Sequence, residues 1–324
     1  MFDEDQIPVS RADIAIWGPT GSGKTWLISA FAKELEWYSE KDPNFKYELV
    51  DEDGVPIIPK PPEPHPTSRP NDVELHFRRI PKVRGMAQII SSHAHRIIIH
   101  DDKGSNLVAA SIDGKAAQEA YQKLINARYI IIVLDATFDL SAKSLKAPKT
   151  IVAEKATEDI YEDLVDENDG TLGIATRGDL SSAEYRQLVQ NLFNMLAGNP
   201  PRPDANGKLS RHIAICLTKT DMSTLKDDPW QLLGRIFDQE MLSLVRLYAQ
   251  TFPVKVFQTS SAGTYREIGE KRPNFDVNTG KIQIPQRWDP YNAAAPFFWI
   301  FETNERERLE KKSGKEKYIG YTSR

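Results

Sequence analysis

The sequence predicts a doubly wound α/β fold, in which helices cover both faces of a mostly parallel sheet. Short apolar runs alternate with helix-patterned segments from one end of the 324 residues to the other, as in chains that build parallel sheets. The runs end in polar or glycine-rich loops, which is where such sheets gather their ligands. No internal repeat interrupts the alternation. We therefore expect one domain rather than two separate folds.

The composition is that of an ordinary soluble globular chain. Hydrophobic residues make up 40% of the sequence and charged residues 27%, close to the average for such proteins. A formal net charge of −4 argues against a general binder of nucleic acids or anionic membranes. There is no apolar run of about 18 residues that would predict a transmembrane helix, and the acidic start has no signal-peptide core. We expect a cytoplasmic protein, with its single cysteine, Cys216, packed in the core.

A phosphate-binding loop joins the first strand, at 12–17, to the first helix, at 26–37. Residues 18–25, GPTGSGKT, fit the P-loop pattern G-x-x-x-x-G-K-[ST] at every required position. The glycines let backbone N–H groups surround a phosphate, and the helix N-terminus adds partial positive charge. Lys24 can then reach the β- and γ-phosphates of a nucleoside triphosphate, and the Thr25 hydroxyl can hold Mg²⁺. The predicted ligands are Gly18, Pro19, Thr20, Gly21, Ser22, Gly23, Lys24, Thr25 and Trp26.

A long loop is expected after the first helix, over residues 40–72. Seven prolines crowd between Pro56 and Pro70. Proline removes a backbone donor and restricts φ, which excludes a helix or a central strand there. Both a semi-rigid linker and a loop that faces the nucleotide fit this segment.

The remaining elements follow in strand–helix order. Strands are predicted at 73–80, 96–100, 129–134, 212–217 and 253–258, with a further short one at 86–92. Helices are predicted at 115–126, 181–198, 229–248 and 289–312, with a capping box at Ser181 and Glu184 and an N-cap at Asp228. Residues 139–180 show no periodicity and are expected to form an insertion.

Three motifs at strand ends refine the nucleotide prediction. The first, DDKG at 101–104, matches D-x-x-G directly after an apolar strand. Asp101 can accept a hydrogen bond from a Mg²⁺-bound water, and the Gly104 N–H can meet the γ-phosphate. A competing interpretation makes Asp101 and Asp102 the metal-binding and water-polarising acids of an ATPase.

The other two motifs concern the base. TKTD at 218–221 fits [NT]-K-x-D, in which Asp221 accepts hydrogen bonds from guanine N1–H and N2–H₂, groups that adenine cannot supply. In SAG at 261–263 a backbone N–H can meet guanine O6, although the sequence leaves Ser260 and Ser261 as alternatives. The predicted base ligands are Thr218, Lys219, Asp221, Ser261 and Ala262.

This ordered set of motifs resembles that of Ras-like P-loop GTPases, over roughly residues 12 to 301. The T-K-x-D form is that of the Rho branch, and the insertions and the helix at 296–300 look more like bacterial double-GTPase or conflict-system GTPase domains. The resemblance implies a six-stranded sheet, bound Mg²⁺ with GTP or GDP, and two switch loops that sense the γ-phosphate. It assigns residues 1–301 to a G domain, with the first switch loop at 40–72. Residues 302–324 are then a charged helix end and a flexible tail.

The sequence departs from that family in two places. Ras-like proteins have a water-orienting Gln after D-x-x-G, where this chain has Ser105. With Lys24, Gly104 and Ser105 as the catalytic set, we expect slow intrinsic hydrolysis that is raised by a partner or by an internal arginine such as Arg177. The switch threonine that binds Mg²⁺ has no clear motif, and Thr67 is the best candidate. A zinc site at His93, His95 and His100 is disfavoured because nothing nearby completes it.

The leading hypothesis is therefore a GTP-binding switch that acts through a protein effector or a GTPase-activating partner. One alternative is a P-loop ATPase that couples hydrolysis to mechanical or assembly work. Another is a nucleotide-binding scaffold without turnover, which Ser105 would permit. The sequence leaves the oligomeric state open.

Overall fold

The computed structural model describes residues 9–19, 21–51, 53–61, 71–79, 90–101, 122–137, 182–200, 210–222, 228–276 and 281–313. Several predictions lie outside these residues. They concern Thr20, Thr67, Asp102, Gly104, Ser105, Arg177, Ser181, the insertion at 139–180, and the tail from 314.

Seven strands of the described chain form the central sheet. They are β1 (Val9–Trp17), β2 (Tyr47–Val50), β3 (Asn71–Arg79), β4 (Ile90–Asp101), β5 (Tyr129–Asp135), β6 (His212–Thr218) and β7 (Val254–Gln258). Their order is β2-β3-β4-β1-β5-β6-β7. The neighbouring strands in the series β4-β1-β5-β6-β7 are all parallel, and β3 pairs antiparallel with both β2 and β4. The mostly parallel, doubly wound sheet is confirmed.

The sheet has one strand more than the six expected. The additional strand is β2, which lies within the segment 40–72 that was predicted to be loop throughout. It forms because Leu49 and Val50 are buried and because Tyr47 stacks on Phe45 with the ring centroids 5.8 Å apart. The chain then folds back, and the Ile57 N–H donates to the Leu49 carbonyl at 2.8 Å.

Five longer helices accompany the sheet among the described residues. They are α1 (Lys24–Lys41), α2 (Ser182–Gly198), α3 (Pro229–Ile236), α4 (Gln239–Thr251) and α5 (Ala295–Ser313), while residues 122–126 are also helical. The single helix predicted at 229–248 is wrong. Phe237 and Asp238 adopt extended conformations, and the Asp238 carboxylate accepts from the Met241 N–H to start a new helix. Asp228 is confirmed as the N-cap of α3.

The helices form two layers, one on each face of the sheet. Along β1, Ile14 and Ile16 face a core that includes α1 and α5, whereas Ala15 and Trp17 face a core that includes α2, α3 and α4. This alternation is the period of two that a strand imposes. Cys216 lies in the first of these cores, as predicted, and burial raises the pKa of its thiol.

Helix α5 closes the face that carries α1. Phe297 stacks on Phe31 with the ring centroids 4.1 Å apart. The helix crosses the predicted boundary at 301 without a break, and Glu302 and Glu305 beyond that boundary are buried. No helix in the described ranges combines the length and the apolar character that a membrane crossing requires.

Two small hairpins lie between β7 and the last helix, where no strand was predicted. One joins β8 (Thr264–Glu267) to β9 (Glu270–Pro273), and the other joins β10 (Phe275–Asp276) to β11 (Lys281–Ile282). The first hairpin turns at Ile268 and Gly269, whose φ angles of 49° and 85° are those of a tight hairpin turn.

Candidate nucleotide-binding site

The predicted motifs meet at one edge of the sheet. Asp101, the last residue of β4, is in register with Ile16 of β1, two residues before the P-loop. Asp135, the last residue of β5, is in register with Thr218 of β6. Because β1 has β4 on one side and β5 on the other, the P-loop lies at the switch point of the sheet, where open α/β sheets bind ligands.

The P-loop is held in shape by its glycines and by its lysine. Gly21 and Gly23 have φ angles of 76° and 94°, which favour glycine. At Gly18 a Cβ would lie 2.5 Å from the Val133 carbonyl oxygen, so only glycine lets the loop pack against β5. The buried Lys24 ammonium donates to the Gly18 carbonyl at 2.7 Å, which places its charge inside the loop.

The residues after the lysine separate into exposed and packed side chains. Thr25 is exposed in the first turn of α1. The Trp26 ring packs edge-on against Phe275, with the centroids 5.5 Å apart. A contact between Trp26 and a nucleotide would therefore come from its backbone N–H at the helix N-terminus.

The T-K-x-D segment is bonded directly to the P-loop. The Thr218 hydroxyl lies 2.7 Å from the Ser22 carbonyl oxygen, to which it donates. Lys219 adopts a left-handed conformation with φ 58°, and its ammonium donates to the Gly21 carbonyl at 3.4 Å. The segment that was predicted to select the base therefore also supports the loop that was predicted to hold the phosphates.

Asp135 is a site residue that the sequence reasoning missed. It is only 1% exposed, and its carboxylate forms an ion pair with Lys219. The same carboxylate accepts from the Thr137 hydroxyl at 2.6 Å and from the Thr137 N–H at 3.0 Å. An acidic residue that ends a continuous apolar strand was the available indication.

Asp221 lies in a 3-10 turn, Thr220–Met222, beside the end of β7. The turn is fixed by Thr220, whose N–H and hydroxyl both donate to the Thr259 carbonyl, at 3.3 Å and 3.0 Å. Burial raises the pKa of the Asp221 carboxyl above its ordinary value, whereas a hydrogen bond with the Ser260 hydroxyl and the nearby charges of Lys219 and Lys271 lower it.

In the loop after β7, Ser260 is the serine whose hydroxyl bonds to the Asp221 carboxylate. Its hydroxyl also accepts from the Gly263 N–H at 2.8 Å. Ser261 is buried, and its carbonyl accepts from the Trp288 indole N–H at 2.7 Å. Ala262 is buried beside it.

Three buried side-chain oxygens at this edge have no hydrogen-bond partner among the described residues. They are Ser22 Oγ in the P-loop, Asp221 Oδ2 in the T-K-x-D turn and Ser261 Oγ in the following loop. Buried polar atoms are nearly always paired in folded proteins. Their coincidence at one edge is the pattern expected of a polar ligand site.

The residues available for a magnesium ion are oxygen donors, which suit this hard cation. Thr25 lies in the first turn of α1 and carries a hydroxyl. Asp101 is the last residue of β4, the strand beside β1, and only its backbone is described. The described residues contain no group of three or more His, Cys, Asp or Glu side chains that could hold a metal. A Mg²⁺ site needs none, because Mg²⁺ commonly binds through one or two carboxylates and the substrate phosphates. The side chains of His93, His95 and His100 are outside the described set.

Comparisons with known proteins give similarities at the level of the fold. No protein-family model and no curated protein matches the chain. A similar solved structure is the signal recognition particle receptor SRb-GTP/SRX complex from Chaetomium thermophilum, with 17% identity, 82% of this chain and 94% of that chain covered, and a TM-score of 0.39. The Arl6 BBS3 small GTPase from Trypanosoma brucei with bound GppNp is also similar. Its sequence is 12% identical, the match covers 92% of this chain and 99% of that chain, and the TM-score is 0.38.

A third similar structure is the G domain of the T. maritima FeoB iron transporter, with 14% identity and a TM-score of 0.32. The match covers 78% of this chain and 89% of that chain. All three TM-scores lie below 0.5, so the assignment of function rests on the residues of the site. The chain has an α/β P-loop NTPase fold, built on a mostly parallel sheet with helices on both faces.

Proposed function

We propose that this protein is a GTP-binding switch that hydrolyses GTP slowly with Mg²⁺ and acts on a protein partner. The observation that carries the proposal is the Asp221 carboxylate. One of its oxygens is buried and has no partner in the described part of the chain, and the carboxylate bonds to Ser260 and lies near Lys219. Guanine offers two adjacent donors, N1–H and N2–H₂, to such an acceptor, whereas adenine would leave it unpaired.

Each motif then has a role in one binding event. The P-loop N–H groups and Lys24 hold the phosphates, and the backbone N–H groups of Ser261 and Ala262 are the donors for guanine O6. Thr25 and Asp101 would hold the magnesium ion, which neutralises charge that develops on the phosphates. The ion pair of Lys219 with Asp135 and its bond to Gly21 connect base and phosphate recognition.

Turnover is proposed to be slow because the position after D-x-x-G is Ser105. A serine hydroxyl is shorter than the glutamine amide that orients water in related chemistry. We infer that a protein partner supplies the missing group. The partner would read the γ-phosphate through the loop at 40–72 and the segment after Asp101.

The experiment that tests the proposal is a titration of GTP, ATP and xanthosine triphosphate into the wild-type chain and into Asp221→Asn. We expect GTP to bind at least about 50-fold more tightly than ATP, because ATP leaves buried acceptors unpaired. Asp221→Asn should lose GTP affinity and gain xanthosine triphosphate affinity. Asp228→Asn, which keeps the helix cap, is the matched control and should bind GTP like the wild type.

Two outcomes would redirect the assignment. A preference for ATP that Asp221→Asn leaves unchanged would favour the ATPase that couples hydrolysis to mechanical work. Tight GTP binding by the wild type, with no more phosphate release than Lys24→Ala shows, would favour a scaffold without turnover. Lys33→Ala, on the same helix as Lys24 but paired with Glu36, should behave like the wild type in both assays.

A further inference from the structure

The β8–β9 hairpin follows directly on the loop that was predicted to bind the base. Resting on the proposed function, we propose that this hairpin forms one side of the guanine pocket and that Lys271 is a positioning residue for the base-accepting carboxylate of Asp221. No motif in the sequence marks Lys271.

The base of the hairpin is bonded to the pocket. Gly263, the residue before β8, donates its N–H to Ser260 Oγ at 2.8 Å and accepts from the Asn274 N–H at 2.9 Å. At its other end, β9 contacts the turn Thr220–Met222 that carries Asp221. The hairpin is therefore held against both sequence segments that recognise the base.

The register of the hairpin separates two kinds of face. Arg272 on one face pairs with Glu267 at 2.9 Å and with Glu270 at 3.6 Å, so the charges there compensate one another. On the opposite face Arg266 and Lys271 stand directly across from each other. Among the described residues neither has an acidic partner. Like charges at directly opposed positions destabilise a strand pair, and a nearby anion would offset that cost.

Asp221 is the anion that this face meets. The groups that favour its ionised form are the Ser260 hydroxyl, its own backbone N–H, and the charges of Lys219 and Lys271. Burial favours the protonated form, and these groups oppose it. Lys219 acts on this carboxyl while it is also paired with Asp135, and Lys271 is a second cation, supplied by the hairpin, that favours the ionised carboxylate. Ionised Asp221 can accept both guanine donors, whereas protonated Asp221 loses acceptor capacity.

The test is the pH dependence of GDP binding by the full chain, from pH 5 to 8 at constant Mg²⁺. We expect Lys271→Ala to bind GDP within about twofold of the wild type at pH 8 but about three- to tenfold more weakly at pH 5.5. The midpoint of the acid loss should therefore move to higher pH. Lys271→Arg should restore the wild-type profile, and Arg266→Ala, on the same face, should leave it unchanged. The phosphates of GDP titrate alike with every variant, so differences between profiles report the pocket.

The outcomes are separable. If GDP binding requires Asp221 but Lys271→Ala has the wild-type pH profile, the role of the hairpin is overturned and the proposed function stands. If Arg266→Ala shifts the profile as much as Lys271→Ala, the effect is one of general surface charge and the positioning role is likewise overturned. If Asp221→Asn binds GDP as the wild type does, both proposals fail.

Discussion

Three carboxylates, of which Asp135 is buried and Asp221 and Glu34 are half-buried, show how neighbouring groups give the same chemical group different tasks. Asp135 is compensated by Lys219 and serves as a support. Asp221 has one oxygen that no described residue hydrogen-bonds, as a recognition group would. Glu34 on α1 accepts from the N–H groups of Ala293 and Ala294, at 3.0 Å and 2.7 Å, just before α5 begins. Its two accepted bonds join the P-loop helix to the last helix.

Glu34 should make the stability of the fold depend on pH. Burial raises the pKa of Glu34 from 4.5 to about 7, so between these values the folded chain binds more protons than the unfolded chain. Stability from this group is therefore largest at low pH and is lost as pH rises towards 7. Glu34→Gln removes the titration. In urea unfolding we expect its stability relative to the wild type to improve by roughly 1–3 kcal/mol from pH 5 to pH 8.

The control for that experiment is Glu36→Gln, on the same helix but in a more exposed position. Its stability relative to the wild type should stay constant over the same pH range. If the stability difference between Glu34→Gln and the wild type also stayed the same from pH 5 to pH 8, Glu34 would not hold its proton in the folded state.

At the scale of elements, the site is built from loops whose backbones are fixed where strands end. Gly263 has φ 74°, and a Cβ added there would lie 1.9 Å from the Asp289 carbonyl oxygen. Ser260 forms bridging hydrogen bonds with Tyr291 on the same segment. The loop after β7 is thus locked to the chain that leads into α5, and the hairpin beyond it inherits that position.

Two glycine substitutions separate backbone conformation from packing. Gly263→Ala should destabilise the protein by about 3 kcal/mol or more, because both the positive φ and the close carbonyl oppose a side chain. Gly269→Ala, at φ 85° but with nothing within 4 Å of its added Cβ, should cost about 1 kcal/mol. Chemical denaturation measures both. Equal losses of stability in the two variants would mean that the Asp289 carbonyl moves away from the added Cβ at no energetic cost.

At the scale of the whole molecule, the last helix contacts α1 near its own start and the beginning of β5 further along. Phe297 stacks on Phe31 near its start. Further along, the Tyr129 hydroxyl donates to the side-chain amide oxygen Oδ1 of Asn304 at 2.7 Å, and burial raises the pKa of Tyr129 to about 12. Glu307 forms an ion pair with Arg128, and its carboxylate lies 3.4 Å from His212 Nε2, at the edge opposite the candidate nucleotide site.

These contacts predict that residues 302–313 belong to the folded body. A chain ended at residue 301 should lose about 3–5 kcal/mol of stability relative to a chain ended at residue 313, because buried polar groups lose their partners. Thermal unfolding of the two truncated chains, measured in parallel, is the comparison. Equal melting temperatures would restore the boundary at 301. Asn304→Ala in the longer chain should account for about 1 kcal/mol of the loss.

Much of the fold was readable from local patterns. The runs at 129–134 and 212–217 are continuously apolar because parallel strands are buried on both faces, and both are confirmed as strands. The strand β2 was missed because the prolines that follow it dominate the local composition. The break between α3 and α4 was missed because the apolar pattern continues across Asp238, whose capping role depends on the direction of its side chain.

The sequence by itself determined the fold class, the phosphate-binding loop and the order of the motifs, because these depend on residue type and spacing along the chain. Only the tertiary structure decided which groups act together. It paired Lys219 with Asp135, 84 positions earlier in the chain, placed the Ser260 hydroxyl against the Asp221 carboxylate, and brought the β8–β9 hairpin against the turn Thr220–Met222. Such contacts join residues that are distant in sequence, so their geometry is set by how strands and helices pack rather than by any local pattern.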